Sequence, residues 1–266
     1  MVPSIAKGVR RILGRPRPPS EAAPARDRLV LPADPELIYA VGDVHGCLPK
    51  LLRLEQKIVE DAAAFDGIKV IVMLGDYVDR GPDSAGVIEH LLRPAPDGFF
   101  RVCLCGNHED VFVHFLQGMV PFETWIEFGA EETLLSYGLD RAARDGRGRK
   151  SRAVSAQDVL SVMPSEHVSF LRKLPVALST PSCYFVHAGV RPGVELEAQA
   201  ERDLLWIRKD FLESDERLPK LVIHGHTPSR QPTFANRRLG IDTGAYMNGP
   251  LTAARLWRRK ISFLEA

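Results

Sequence analysis

The sequence predicts an α/β fold with two sheets, and three patterns lead to this prediction. From residue 37 onward, short apolar runs rich in β-branched residues end in glycine or a polar turn former, as buried strands do. Amphipathic helical patterns separate the early runs, and this alternation predicts parallel strands joined by crossover helices. Later, the runs LGIDT, LTAARLW and ISFL follow one another with short connections, which predicts antiparallel strands and a second sheet.

The predicted elements follow one another in a regular order. Strands are expected in the runs LIYAVGDVHG, IKVIVMLGDYVDRG, FFRVCLCGNHE, CYFVHAG, LVIHGHT and RLGIDTGA. Helices are expected from Leu48 to Ala62, from Ser84 to Leu92 and from Glu109 to Gln117, where apolar residues recur at helical spacing. Residues 119–180 contain apolar-periodic pieces but no strand-end motif, which predicts a helical cap inserted in the domain.

Composition and charge are those of an ordinary globular protein. The 266 residues carry a net charge of +1, so no overall basic field favours nucleic acid as a partner. Residues 1–28 are rich in proline and basic side chains and are predicted to form a disordered tail ahead of a domain at 29–266. The alternative for the tail is a short amphipathic helix with weak membrane-surface contact. The four cysteines do not resemble a disulfide framework and no apolar run could span a membrane, so a cytoplasmic protein is expected.

Most of the predicted strands are followed by side chains that bind metal ions. These side chains should converge, because loops at the carboxyl ends of parallel strands lie side by side. Their carboxylate, amide and imidazole donors, without thiolates, suit a hard or borderline divalent metal rather than a structural zinc. A pair of metals about 3.5–4 Å apart needs one shared carboxylate and further ligands for each ion, which this set can provide. The candidates are Asp43, His45, Asp76, Asn107, His108, His187, His224 and His226.

The motifs GDVHG, GDYVDRG, GNHE, VHAG and GHTP, in this order, resemble those of the calcineurin-like metallophosphoesterases, and among them the bacterial and phage-type phosphoprotein phosphatases. The resemblance covers about residues 37–257 and implies a two-sheet β-sandwich with flanking helices. It also implies two divalent metal ions, with Mn²⁺ expected and iron or zinc as alternatives. His226 is preferred to His224 because the family's ligand directly precedes threonine. One metal would be bound by Asp43, His45 and Asp76, and the other by Asp76, Asn107, His187 and His226.

The same resemblance implies a mechanism. A hydroxide that bridges the two metals attacks phosphorus in line, His108 protonates the leaving group, and Asp79 orients His108. Arg80 and Arg208 would bind phosphate oxygens, for which the planar and permanently charged guanidinium group is well suited. Plainer alternatives remain: His108 and Asp79 could simply close a loop by hydrogen bonding, and Arg208 could lie on a solvated helix face.

The expected activity is metal-dependent hydrolysis of phosphomonoesters, foremost phosphoserine and phosphothreonine in a phosphoprotein or phosphopeptide. The alternative within the superfamily is a symmetrical bis(5'-nucleosyl)-tetraphosphatase. That branch lacks the Asp of GDYVDRG and carries GNHD and GHW, whereas this chain has GNHE and GHT. The alternative from another class is a metal-binding scaffold without turnover, which the complete set of ligand positions disfavours.

Overall fold

The computed structural model describes residues 25–140 and 154–266, which form two β-sheets with helices outside them. The strands are β1 Arg28–Val30, β2 Leu37–Val41, β3 Lys69–Met73, β4 Phe99–Cys103, β5 Ala177–Ser179, β6 Cys183–Val186, β7 Leu221–His224, β8 Thr233–Ala235, β9 Arg238–Gly240, β10 Thr252–Trp257 and β11 Lys260–Glu265. The helices are α1 Leu48–Ala62, α2 Ser84–Leu92, α3 Asn107–Leu116, α4 Phe122–Ile126, α5 Ala130–Ser136, α6 Ala156–Leu160, α7 Ser165–Lys173, α8 Glu201–Trp206 and α9 Lys209–Leu212, with 3₁₀ turns at Leu196–Ala198 and Ala245–Met247.

The first sheet has five strands in the order β11-β10-β2-β3-β4. Its strands β2, β3 and β4 are parallel, and α1 and α2 are the crossover helices between them, as the alternating patterns predict. The hairpin β10–β11 joins this sheet because β10 pairs antiparallel with β2. β10 thereby covers the edge that β2 would otherwise leave unpaired.

The second sheet has six strands in the order β1-β5-β6-β7-β9-β8. β6, β7 and β9 are parallel, while β5 and β8 run antiparallel to their neighbours β6 and β9. The sequence prediction placed all the last strands in the second sheet, and this is wrong for β10 and β11. Only the LGIDT run contributes there, through β9, because the side to which a hairpin adds depends on contacts distant in sequence.

Alternating side chains fill the space between the sheets. Ile38 and Ala40 of β2 belong to one buried cluster with Phe185 of β6 and Ile223 of β7. Tyr39, which points to the opposite face of β2, belongs to the larger cluster that includes the helices. This confirms the predicted α/β architecture of two packed sheets with flanking helices.

The boundary predicted for the tail is wrong at its carboxyl-terminal end. Arg28 lies in β1, which pairs in parallel with β5. Arg26 donates a hydrogen bond to the carbonyl oxygen of Leu174 at 3.3 Å, and its guanidinium lies 3.6 Å from the Asp110 carboxylate. These partners are remote in sequence, so local composition could not indicate them. The rest of the predicted tail, including the segment considered for membrane contact, lies outside the described residues.

Four helices lie in the described part of the segment 119–180, where the helical cap was expected. Of these, α4, α6 and α7 contact α3, while α5 and α7 contact α2. Residues 141–153 of the segment are outside the described part of the chain. The last residues of the segment are not part of the helical cap. Ala177–Ser179 form strand β5, which pairs with β1 and β6. Within the described ranges, no helix is long and apolar enough to cross a membrane.

Candidate metal centre

The loops after β2, β3, β6 and β7 meet the first turn of α3 at one end of the two sheets. The six predicted metal ligands lie there, and none of them exposes more than 4% of its surface. They are Asp43, His45, Asp76, Asn107, His187 and His226. Asp76 follows a strand of the first sheet and His187 a strand of the second, so the centre joins both sheets.

The ligand loops contain unusual backbone conformations. His45, Asp76 and His226 have φ angles of 43°, 52° and 65°, a left-handed region that costs free energy for residues other than glycine. Hydrogen bonds between the loops hold these turns, such as the bond from the His45 backbone N–H to the Asp76 carbonyl oxygen at 2.7 Å. Gly106 is required beside them, because a Cβ atom there would lie 2.2 Å from Asp76 Oδ1.

One group of ligand atoms surrounds the side chain of His187. Its Nδ1–H donates to the Leu74 carbonyl oxygen at 3.0 Å, so Nε2 carries the lone pair. This Nε2 lies 2.9 Å from Asn107 Oδ1, 3.1 Å from His226 Nδ1 and 3.4 Å from Asp76 Oδ1. Because mainly lone pairs converge here, the geometry favours a cation among these atoms.

A second group surrounds the other oxygen of Asp76. His45 Nδ1–H donates to the Val78 carbonyl oxygen at 2.9 Å, so the lone pair of His45 lies on Nε2. That Nε2 is 3.4 Å from Asp76 Oδ2 and accepts a hydrogen bond from Arg80 Nη1 at 3.1 Å. His108 Nε2 also approaches Asp76 Oδ2, at 3.8 Å. Asp76 is thus common to both groups that could hold a metal ion, one with His45 and His108 and the other with His187 and His226.

Asp43 lies outside these two tight groups. Its carboxylate oxygens accept the His226 backbone N–H at 3.0 and 3.1 Å. Burial, together with the carboxylates of Asp242 and Asp76, raises the pKa of Asp43 well above its usual range. Burial also raises the pKa of Asp242 to about 6. Three buried carboxylates close enough to influence one another require positive charge to remain ionised together at neutral pH.

Of the imidazoles around Asp76, those of His45, His187 and His226 do not provide that charge. Burial lowers the pKa of His45 to about 3 and that of His226 to about 2. The pKa of His187 is also lowered, again by burial. Neutral imidazoles are the form that binds metals, and the atom that His226 directs toward the other donors is Nδ1, 2.8 Å from Asn107 Oδ1. The donor set therefore fits divalent metal ions that accept nitrogen and oxygen ligands.

His108 and Asp79 form a buried pair beside this donor set. His108 Nδ1 lies 2.8 Å from Asp79 Oδ2, and neither residue is exposed. Trp125 Nε1 and Thr133 Oγ1 donate to the Asp79 carboxylate at 3.3 and 2.8 Å, which holds it in place. Burial acts to lower the pKa of His108, but the carboxylates of Asp76 and Asp79 outweigh it and raise this pKa. The imidazole can therefore carry a proton on Nε2, which has no partner in the described part of the chain.

The two predicted phosphate arginines differ in their placement. Arg80 is half-buried at the centre, where its backbone N–H donates to the Gly129 carbonyl oxygen at 3.0 Å. Arg208 is exposed and directly precedes α9. Its charge still reaches the centre, because Arg208 adds to burial in lowering the pKa of His187 and His226. The structure therefore brings Arg80 into contact with the ligands and leaves Arg208 at the rim.

His224 has different surroundings from His226. Its Nδ1–H donates to the Gly225 carbonyl oxygen at 3.0 Å, and its ring packs edge-on against Phe211 with 5.1 Å between centroids. It belongs to neither group of potential ligands among the described residues.

Glu109 is a structural part of the centre that the sequence analysis did not single out. Its buried carboxylate accepts the backbone N–H groups of Asp76 at 2.8 Å, Tyr77 at 2.7 Å, Val78 at 3.2 Å and Gly106 at 2.9 Å. Burial raises the pKa of Glu109 to about 7. The glutamate of the GNHE motif, in the first turn of a helix and two residues after the candidate ligand Asn107, was the available signal.

Comparison with known proteins gives one family match. The family model described as calcineurin-like phosphoesterase matches residues 37–256. A curated relative, the asymmetrical bis(5'-nucleosyl)-tetraphosphatase PrpE of Anoxybacillus flavithermus, is 24% identical over 241 residues, which cover 82% of this chain and 90% of that protein.

Two solved structures show the same fold. One is described as "a putative diadenosine tetraphosphatase" and has a TM-score of 0.63 at 21% identity, covering 91% of this chain and 98% of its own. The other, a protein serine/threonine phosphatase from Saccharomyces cerevisiae, has a TM-score of 0.55 at 16% identity, covering 91% of this chain and 84% of its own.

Proposed function

The chain belongs to the calcineurin-like phosphoesterase family, and we propose that it is a two-metal phosphatase whose substrates are phosphoserine and phosphothreonine in proteins. The observation that carries the proposal is the His108–Asp79 pair, which lies next to the Asp76 carboxylate shared by both ligand groups. Serine and threonine leave as basic alkoxides, so their release needs a proton donor at the leaving oxygen. A buried imidazole with a raised pKa, whose Nε2 has no hydrogen-bond partner among the described residues, is suited to this task.

The proposed ligands follow from the donor geometry and from the family resemblance. Asp43, His45 and Asp76 are assigned to one ion, and the second ion is assigned to Asp76, Asn107, His187 and His226. Divalent cations bound there would supply positive charge to phosphoryl oxygens and lower the pKa of water enough to produce a nucleophile near neutral pH. Mn²⁺ is the proposed metal, with iron or zinc as alternatives that the same nitrogen and oxygen donors accept.

The remaining residues bind phosphate and move one proton. Arg80 presents its guanidinium beside His45 and binds phosphate oxygens, with Arg208 as a second contact from the rim. His108 donates the proton on Nε2 to the leaving oxygen. Asp79 holds the ring through Nδ1 and stabilises its protonated form before transfer.

Hydrolysis of a dinucleoside tetraphosphate is the second candidate. The curated relative is named an asymmetrical tetraphosphatase, not a symmetrical one, so the asymmetrical reaction is the form considered. Its leaving group would be a nucleoside phosphate, which is a much weaker base than an alkoxide and has less need of His108. The proton-donating pair therefore favours the phosphomonoester.

A substrate comparison tests the proposal. Protein stripped of metal and reconstituted with Mn²⁺ would be assayed on a phosphothreonine peptide, a phosphotyrosine peptide and diadenosine tetraphosphate. We expect the highest kcat/KM for the phosphothreonine peptide, with free phosphate as product, and no turnover by the stripped protein in excess chelator. A higher kcat/KM for diadenosine tetraphosphate, with ATP and AMP as products, would contradict the proposed substrate class. Lack of turnover on all three substrates would instead favour a metal-binding scaffold.

A further inference from the structure

The ring of Tyr246 lies between two groups of the proposed catalytic centre. The Arg80 guanidinium carbon is 4.6 Å from the Tyr246 ring centre, in a cation–π arrangement. The same ring meets the His45 ring edge-on, with 5.0 Å between centroids and 77° between planes. Tyr246 belongs to the 3₁₀ turn Ala245–Met247, which neither the sequence motifs nor the proposed mechanism uses.

Within residues 25–140 and 154–266, few other contacts could fix the side chain of Arg80. Its backbone is left-handed, with φ 68°, and in the described chain its guanidinium pairs with no carboxylate. Among the residues that the structure describes, its side-chain hydrogen bond goes to His45 Nε2, the atom that carries the lone pair assigned to a metal. When that lone pair is used for a metal, the contact left to the guanidinium within the described parts of the chain is the Tyr246 ring.

The turn that carries Tyr246 is itself firmly held. Lys50 Nζ, from the first turn of α1, donates hydrogen bonds to the carbonyl oxygens of Ala245 and Gly249 at 2.6 Å each. The Gly244 backbone N–H donates to Asp242 Oδ1 at 3.0 Å. Gly249 permits the tight return of the chain, because a Cβ atom there would lie 1.9 Å from the Thr243 carbonyl oxygen. The turn therefore presents Tyr246 from a fixed position.

We propose that Tyr246 is a positioning residue for the phosphate-binding Arg80, and that Lys50 holds the Tyr246 turn for this purpose. This inference rests on the proposed function, because Arg80 binds phosphate only if the centre hydrolyses phosphoesters. A ring beneath the guanidinium restricts a long, flexible side chain before the phosphate arrives, so less conformational entropy is lost on binding. The face of the ring provides the contact, so the tyrosine hydroxyl is not needed.

The test compares Tyr246→Leu with the matched control Tyr246→Phe in the Mn²⁺-loaded protein. The readouts are the inhibition constant of inorganic phosphate, KM and kcat for p-nitrophenyl phosphate, and metal content. We expect Tyr246→Leu to weaken phosphate inhibition by about 10-fold, the size of one partly desolvated cation–π contact. We expect KM to rise with it, while metal content is retained. Tyr246→Phe should stay within about twofold of the unmodified protein, because the ring remains.

A double-mutant cycle with Arg80→Ala tests whether Tyr246→Leu weakens phosphate inhibition through Arg80. Tyr246→Leu should add nothing once Arg80 is alanine, and Lys50→Met should reproduce the weaker phosphate inhibition to a smaller extent. Equal effects of Phe and Leu at position 246, or a full Leu effect in the Arg80→Ala background, would overturn the inference. If the unmodified protein neither hydrolyses phosphomonoesters nor binds phosphate, the proposed function itself has failed. If the unmodified protein hydrolyses phosphomonoesters and binds phosphate, and Tyr246→Leu has the same inhibition constant for phosphate, only the inference about Tyr246 has failed.

Discussion

Asp76→Asn is expected to lower kcat/KM for a phosphothreonine peptide by more than about 10³-fold, a larger loss than removal of one catalytic hydrogen-bond donor causes. The physical reason is that both oxygens of Asp76 are used. Oδ1 faces His187 at 3.4 Å, and Oδ2 faces His45 at the same distance. An amide has one oxygen and one NH₂ group, so it presents hydrogens to one of the two ligand groups and cannot bridge two cations.

The measurement is kcat/KM together with metal content after reconstitution. Asp61→Asn is the matched control, because it makes the same chemical change where Asp61 bonds Tyr39 and Arg255. Asp61 lies near the far end of α1, roughly 20 Å along the helix from its start beside the centre. The control should keep its metals and its activity. If Asp76→Asn also kept both, Asp76 could not be the shared ligand.

The second large effect is expected for His108→Asn, and it should depend on the leaving group. For a phosphothreonine peptide, kcat should fall by roughly 10²-fold or more, the usual contribution of general acid catalysis. For p-nitrophenyl phosphate the loss should be less than about 10-fold, because p-nitrophenolate is a stable anion that needs little protonation. Metal content should remain unchanged in the variant.

Asp79→Asn serves as the companion variant in the same comparison. Its amide leaves His108 in place but removes the negative charge that raises the pKa of the imidazole, so the same pattern should appear in weaker form. Equal losses on the two substrates, with metals retained, would show that His108 does not act as the acid. A role of His108 in binding phosphate would then be the better explanation.

The polar side chains of the candidate metal centre could be predicted to lie together because each lies in a short local motif. Gly-Asp and His-Gly pairs after apolar runs mark strand ends, and parallel strands place their carboxyl ends side by side. The family resemblance also separates His226 from His224, because the family's ligand directly precedes threonine, and only His226 lies with the other candidate ligand atoms in the described structure. Local sequence was therefore sufficient to predict the α/β core and the grouping of polar side chains at one edge of it.

Other features depend on contacts between distant segments, which local patterns do not encode. β1 forms only because Arg28 and its neighbours pair with β5, about 150 residues later. Tyr246 contacts Arg80, which lies 166 positions earlier in the sequence, and the turn of Tyr246 is held by Lys50 from the first helix. Glu109 accepts four backbone N–H groups from two different loops. Its role therefore depends on the packing of α3 beside the loop after β3, which the local sequence does not show.

Two metal ions, joined through Asp76, are proposed to produce the phosphatase activity, and metal titration tests this most directly. Metal-stripped protein would be titrated with Mn²⁺ while bound ions per chain and kcat/KM for a phosphothreonine peptide are measured on the same samples. Two ions per chain are expected at saturation, with activity rising only as the second binds. Saturation at a single ion with full activity, or turnover in excess chelator, would contradict the account.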